Sequence, residues 1–337
     1  MKLSALNDVL SVSYKVGKAL DIHPRGMTLV QLIGAGISLA VAVGISSASP
    51  AQERVATFKS GVDLVRVSAV VRDDRGRFVQ NLSARDFEVV DQGEFRPISD
   101  FRLDPGGVSV ALLFDVSGSM EHTLPDAREA ATHLLSWLEA HDEAAVFTFD
   151  TRLNEIASFS SGLRTLPESM SSVTPFGATS LHDAIARLAE RVATREGRRR
   201  AIVVFTDGFD NASRLSPGEV SGIASSIDVP VYLFAAVPSI DNPGTEFSAG
   251  DGRSSLAGPL SDLAAWTGGH VFMASTPGAR SAAARQIVDE LRHQYLIAFE
   301  SSGKSGWHPL VVRARNKDLT VRARSGYMAG QSRPISD

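Results

Sequence analysis

The sequence predicts an α/β protein. It should contain a doubly wound, mostly parallel sheet with one antiparallel edge strand, a smaller all-β domain built from both flanks, and an N-terminal hydrophobic helix. Three observations carry that expectation. Short aliphatic runs alternate with amphipathic segments of helical length between 108 and 295, the rhythm of strand–helix–strand units. Period-two patterns bounded by turn residues occupy 55–104 and return at 296–330, as half-buried strands require. Residues 28–46, TLVQLIGAGISLAVAVGIS, carry no charge, and a run of about 19 such residues is near the minimum for spanning a bilayer.

The lead, 1–52, places Lys15, Lys18 and Arg25 before that apolar run and the small residues SSASPAQ after it. It reads as a signal peptide or an uncleaved anchor. Either way the flanking positive charges stay inside and the rest of the chain is exported, to a periplasmic or extracellular location or to the outer face of an inner membrane. In the N-terminal β segment VDLVRVSAVVRD predicts a strand, DDRG a turn, RFVQNL a resumed strand, and SARDFEVVDQGEFRPISDFRL two more around a QGE turn. Pro105-Gly106-Gly107 then separates this unit from the next.

VSVALLFDV (108–116) is continuously apolar, as a parallel strand covered on both faces should be. PDAREAATHLLSWLEAH (125–141) predicts a helix with Pro125 in its first turn. EAAVFTFD (143–150) is a strand, and RLNEIASFS follows after almost no loop, so it must return antiparallel at an edge. Helices are predicted at 180–196, 216–227, 260–269 and 279–295, and buried strands at 199–208, 229–237 and 270–275. The segments YLIAFESS, HPLVVRARN and LTVRARSGYM return to β, and are expected to pack with 55–104, because so few strands cannot bury a face alone.

The composition excludes several classes of function. The chain of 337 residues has a net charge of −4, so no global field favours nucleic acid or anionic lipid. Two basic tracts, REGRRR (195–200) and a hairpin-like VRARNKDLTVRAR (312–324), read as a solvated loop and a solvated sheet face. Without cysteine there is no disulfide, thiolate metal site or thiol nucleophile. No G-x-S-x-G, Walker or dinucleotide motif stands at a strand end, and Ser117 occupies the position where an aspartyl phosphatase needs its second acid. No catalytic residue is assigned.

Ligands of open parallel sheets bind at the carboxyl ends of strands. Asp115 and Asp207 lie at two such ends, and Thr179 at the mouth of a helix between them in sequence. With Ser117 and Ser119 they form two carboxylates and three hydroxyls. An all-oxygen set of that kind suits a hard divalent cation, Mg²⁺ above all because it takes one or two carboxylates and keeps waters; Mn²⁺ or Ca²⁺ are alternatives. A position left open on the ion would attract a carboxylate from a protein partner. The competing reading is helix capping by Asp115, Ser117 and Ser119. Asp150, Asp183 and Asp210 read as solvated loop carboxylates, with a place behind the metal's direct ligands as the alternative for Asp210, and His182 reads as a helix-surface histidine.

At these residues the chain resembles the von Willebrand factor type A domain, through Asp115-x-Ser117-x-Ser119, then Thr179, then Asp207. The resemblance covers about 108–295 and implies a metal-ion-dependent adhesion site and binding of a protein ligand without turnover. The flanks resemble VWFA-related proteins described from Acidobacteria, exported or membrane-attached. Gly177-Ala178 replaces the family's usual glycine pair. A metal-assisted hydrolase and an envelope scaffold with a purely stabilising metal are the alternatives. The polar loop 238–259 is expected to rise beside the metal face and contribute to partner selection, or else to be disordered.

Overall fold

A computed structural model of the chain describes residues 64–103, 106–195, 198–208, 210–226, 228–235 and 258–330. They belong to one compact unit spanning Lys59–Asp337. The apolar stretch 28–46 and the loop 238–259 up to residue 257 lie outside the described residues. Among the described residues no helix is long and apolar enough to cross a membrane.

The strands before the α/β region are β1 (Leu64–Arg72), β2 (Phe87–Asp91), β3 (Glu94–Arg96) and β4 (Ile98–Leu103). The α/β region contains β5 (Val108–Asp115), α1 (Leu124–Ser136), β6 (Glu143–Phe149), β7 (Leu153–Ser161), α2 (Leu181–Ala193) and β8 (Arg199–Thr206). It continues with α3 (Pro217–Ser226), β9 (Val231–Ala235), α4 (Gly258–Thr267), β10 (Val271–Met273) and α5 (Pro277–Arg292). The chain closes with β11 (Gln294–Glu300), β12 (Gly306–Ala314), β13 (Thr320–Ala323) and β14 (Gly326–Ala329).

The central sheet has the order β10-β9-β8-β5-β6-β7. Its pairs are parallel except β6 with β7, and β7 forms the antiparallel edge. Every residue of β5 is buried, which explains its unbroken aliphatic run. Val110, Leu112 and Phe114 face one core with α1 and α5, while Ala111 and Leu113 face the other with α2, α3 and α4. Period-two side-chain alternation delivers both faces from one strand. Because β5 leads to α1 on one face and β8 to α3 on the other, a switch point opens between their carboxyl ends.

The flanking strands form two four-stranded sheets, β13-β1-β11-β4 and β14-β12-β2-β3. Each mixes strands from before and after the α/β region. β1 pairs antiparallel with β11 and β2 with β12, closing a core of Val67, Phe87, Val89, Tyr295, Ile297, Phe299 and Leu310.

Several local expectations change. RFVQNL makes only a single bridge, Arg72 with Phe78, because its backbone turns to Tyr295 instead. The Tyr295 hydroxyl donates to Val79 O (2.9 Å) and accepts from Leu82 N (3.2 Å). VRARNKDLTVRAR is no hairpin: β12 and β13 belong to different sheets. Nor are its arginines on one solvated face. Arg322 pairs with the buried Glu290, and Arg324 is 4% exposed, donating to Arg66 O (2.6 Å) and to Ser225 O. In the first basic tract, Arg195 and Arg198 pair with Glu143, and the buried Arg199 donates to Arg292 O. Carbonyls and carboxylates at the joints between layers require donors, and these arginines supply them.

Candidate metal centre

Asp115 ends the central strand and is fully buried. Its Oδ1 accepts from Ser117 N at 2.9 Å and its Oδ2 from Thr206 Oγ1 at 2.8 Å. Thr206 was not singled out from the sequence, although its place just before Asp207 was a usable signal. Phe114 pairs with Phe205 in register, so the next residue of β8 necessarily stands beside Asp115. The same Thr206 hydroxyl accepts from Gly208 N at 3.0 Å, tying the loop that bears Asp207 to the Asp115 carboxylate.

After Asp115 the chain makes a short 3-10 turn over Gly118–Glu121, with Ser117 as its first cap. Ser117 makes no side-chain capping bond there, which counts against the capping reading. Its Oγ lies instead 3.2 Å from Ser119 Oγ.

The loop carrying Thr179 is laced onto this turn. Phe176 N donates to Val116 O (2.8 Å) and Gly118 N to Gly177 O (3.1 Å). Gly177 has φ +92°, a region that L side chains avoid; Ala178 does not share it, so the replacement of a second glycine costs nothing there. Thr179 is 2% exposed. Its N–H donates to Asn211 Oδ1 (2.9 Å), and its carbonyl accepts from Asn211 N (3.1 Å) and Ala212 N (3.0 Å). Asn211 thus grips the Thr179 backbone from both sides.

Asp210 and His182 differ from the sequence reading. His182 is 9% exposed, not a surface residue, and its ring Nδ1 lies 2.9 Å from Asp210 Oδ2. Asp210 also accepts from His182 N at 2.9 Å and Ser213 N at 3.0 Å, satisfying donors at the first turn of α2. Burial pushes the Asp210 carboxyl up, but these bonds and His182 outweigh it and leave it below the ordinary range. Asp183 likewise accepts from Arg214 N and Leu215 N, and Asp150 from Arg152 N.

Asp115, Ser117, Ser119, Thr179 and Asp207 therefore stand on three loops stitched together at one edge. The Asp115 carboxyl is pushed up to about 6, first by burial and further by the charge of Asp207, against the hydrogen bonds from Ser117 and Thr206. Two carboxylates so placed are costly without a cation. The donor set fits a hard divalent ion: oxygen only, with two charges and three neutral hydroxyls. Among the described residues no cluster of three or more His, Asp or Glu offers a rival metal site.

A family profile described as the von Willebrand factor type A domain matches residues 110–209. No curated protein matches the chain. Among solved structures, an aerotolerance-related membrane protein from Bacteroides fragilis is 19% identical, with 55% of this chain covering 98% of that one at a TM-score of 0.44. A von Willebrand factor type A protein from Catenulispora acidiphila is 13% identical, covering 82% of this chain and 76% of the other at a TM-score of 0.43. Proximal thread matrix protein 1 from the mussel byssus, with a zinc-occupied MIDAS motif, is 20% identical, covering 60% and 50% at a TM-score of 0.43.

Proposed function

We propose that the von Willebrand factor type A domain carried by residues 110–209 of this chain binds a protein partner through a divalent cation. Asp115, Ser117, Ser119 and Thr179 would hold the ion directly or through water, with Asp207 direct or one water away; Mg²⁺ is the expected ion. Bound there, it would supply a positive centre with too few protein charges to neutralise it, and so attract an acidic side chain of the partner. The observation that carries this reading is the Ser117–Ser119 hydroxyl pair, free of capping duty and 3.2 Å apart, beside a carboxylate that burial disfavours as an anion.

The chain's own residues keep the site ready. Thr206 and Ser117 N hold both oxygens of Asp115, and Asn211 fixes the Thr179 backbone, so little order remains to be gained on binding. Phe176, 81% exposed beside Gly177, gives the rim an apolar contact for a partner. In this reading the domain binds its partner without turnover. Export follows from the sequence of the lead, which would place the domain in the periplasm or outside the cell, anchored if 28–46 is retained.

The test is capture of envelope proteins on the immobilised chain. Retention with Mg²⁺, release by EDTA, and loss in Ser117→Ala/Ser119→Ala is the expected result. Retention that ignores both EDTA and the double substitution would overturn the reading, and release of hydrolysed ester or phosphate products by the wild type but not Asp115→Ala would replace it with an enzyme.

A further inference from the structure

A cleft of about 390 Å³ lies where the α/β layer meets the strands from the C-terminal flank, lined by Gly218, Ser221, Trp266, Trp307 and Ser325. It shares no residue with the metal centre. Trp266 stands near the end of α4 and Trp307 near the start of β12. Both indoles remain well exposed, at 37% and 40%, although each is an expensive group to leave in water.

Both tryptophans are also anchored, Trp266 through its backbone and Trp307 through its ring. The Trp266 carbonyl accepts from Ser325 N (3.1 Å) and from Ser225 Oγ (3.0 Å), which anchors its backbone to a neighbouring layer. Trp307 lies on Gly326, where an added Cβ would come within 2.2 Å of a ring atom. Only glycine admits the indole there, so position 326 is shaped to the ring. A pair of exposed, pre-positioned aromatic faces bordering a concavity of this size meets the ordinary description of a small-ligand site.

The lining identifies the class of ligand. None of its described residues is charged, so no ion pair with them draws a charged ligand there. Aromatic faces carry a negative quadrupole and attract the weakly positive C–H faces of a flat, neutral molecule. The Ser221 hydroxyl, 2% exposed, already donates to Pro217 O at 2.7 Å, so toward a ligand it can only accept. A proline-rich strand brings carbonyl acceptors and no prolyl N–H. A sugar ring brings C–H faces, hydroxyl donors and hydroxyl acceptors together. We propose that this cleft binds a neutral saccharide, stacked on Trp266 and Trp307 and hydrogen-bonded by Ser221 and Ser325, independently of the metal centre.

Tryptophan emission tests it, because two of the chain's three tryptophans border the cleft and Trp137 supplies the constant background. The full chain is titrated with cellohexaose, maltohexaose and chitohexaose up to about 10 mM, a range that captures even millimolar binding. A saturable change with at least one of them is expected, unaffected by EDTA or by Ser117→Ala/Ser119→Ala. Trp266→Phe and Trp307→Phe, which keep an aromatic ring and its packing, should weaken affinity several-fold. Trp307→Ala should abolish binding, read by calorimetry on protein with an unchanged far-ultraviolet spectrum. The proposal fails if no hexasaccharide binds, if binding survives all three substitutions, or if decaproline binds in place of the sugars. Loss of saccharide binding in EDTA would also overturn it, by assigning the ligand to the metal centre.

Discussion

At the scale of single residues the site turns on charge and on hydroxyls. Asp115 has its carboxyl raised from 3.8 to about 6 by burial and by Asp207. A raised acid binds its proton more tightly in the native state, so the metal-free fold loses stability as pH rises from about 4 to about 6, by about 3 kcal/mol at most. Thermal denaturation between pH 4 and 8 should show that loss without Mg²⁺, show it reversed by Mg²⁺ at pH 7, and show neither effect in Asp115→Asn. Ser117→Ala/Ser119→Ala removes the hydroxyl–hydroxyl contact and the Ser117 side-chain hydrogen bond that lowers the Asp115 carboxyl, so metal-free stability should fall by no more than about 3 kcal/mol. Calorimetric Mg²⁺ or Mn²⁺ affinity should instead fall at least about tenfold, roughly 1.4 kcal/mol. These residue types were legible in the sequence because strand ends and their spacing reveal them. The role of Asn211 was not, since it acts through a partner distant in sequence.

At the scale of elements, the segment from Asp210 to Leu215 acts as a strap along the start of α2. It bonds Thr179 through Asn211, the His182 backbone and ring through Asp210, and Asp183 through Arg214 N and Leu215 N. Asn211→Ala strands the Thr179 N–H and should cost about 1–3 kcal/mol, visible as a lower urea midpoint, together with weaker metal binding. Asn211→Asp keeps the acceptor and should recover most of both. The helices themselves were readable to within a few residues from apolar spacing and from Pro125, Pro217 and Gly268-Gly269 at their ends. The strap was not, because NASRLS has no periodicity and its order comes from side chains of another element. Likewise the arginine tract 312–324 has the look of a hairpin, but whether its two strands pair with each other depends on which sheet each joins.

At the scale of the whole molecule, a buried charge cluster fastens the α/β layer to the flanking strands. Glu290 of α5, fully buried, accepts from Arg72 of β1 at 2.9 Å and from Gln286 at 3.1 Å, and pairs with Arg322 of β13. Burial pushes its carboxyl up, yet Arg322, Gln286 and Arg72 together hold it below the ordinary range. A depressed acid contributes stability that is present above its unfolded pKa and lost as pH falls through the folded value. Glu290→Gln should therefore flatten the acid side of the stability profile and cost about 3–5 kcal/mol by leaving two guanidiniums unmatched. Glu290→Gln/Arg322→Met should recover part of that loss in the same thermal assay. What the sequence by itself determined was the α/β alternation, the buried parallel strands, and the oxygen-bearing loops at Asp115, Thr179 and Asp207, because periodicity and strand ends are local properties of the chain. Only the tertiary structure decided that Arg322 and Arg324 turn inward, that Asn211 grips Thr179, and that Trp266 and Trp307 share a cleft. Those outcomes depend on which segments meet across more than a hundred residues in some cases, and a contact of that kind leaves no periodic trace in either partner.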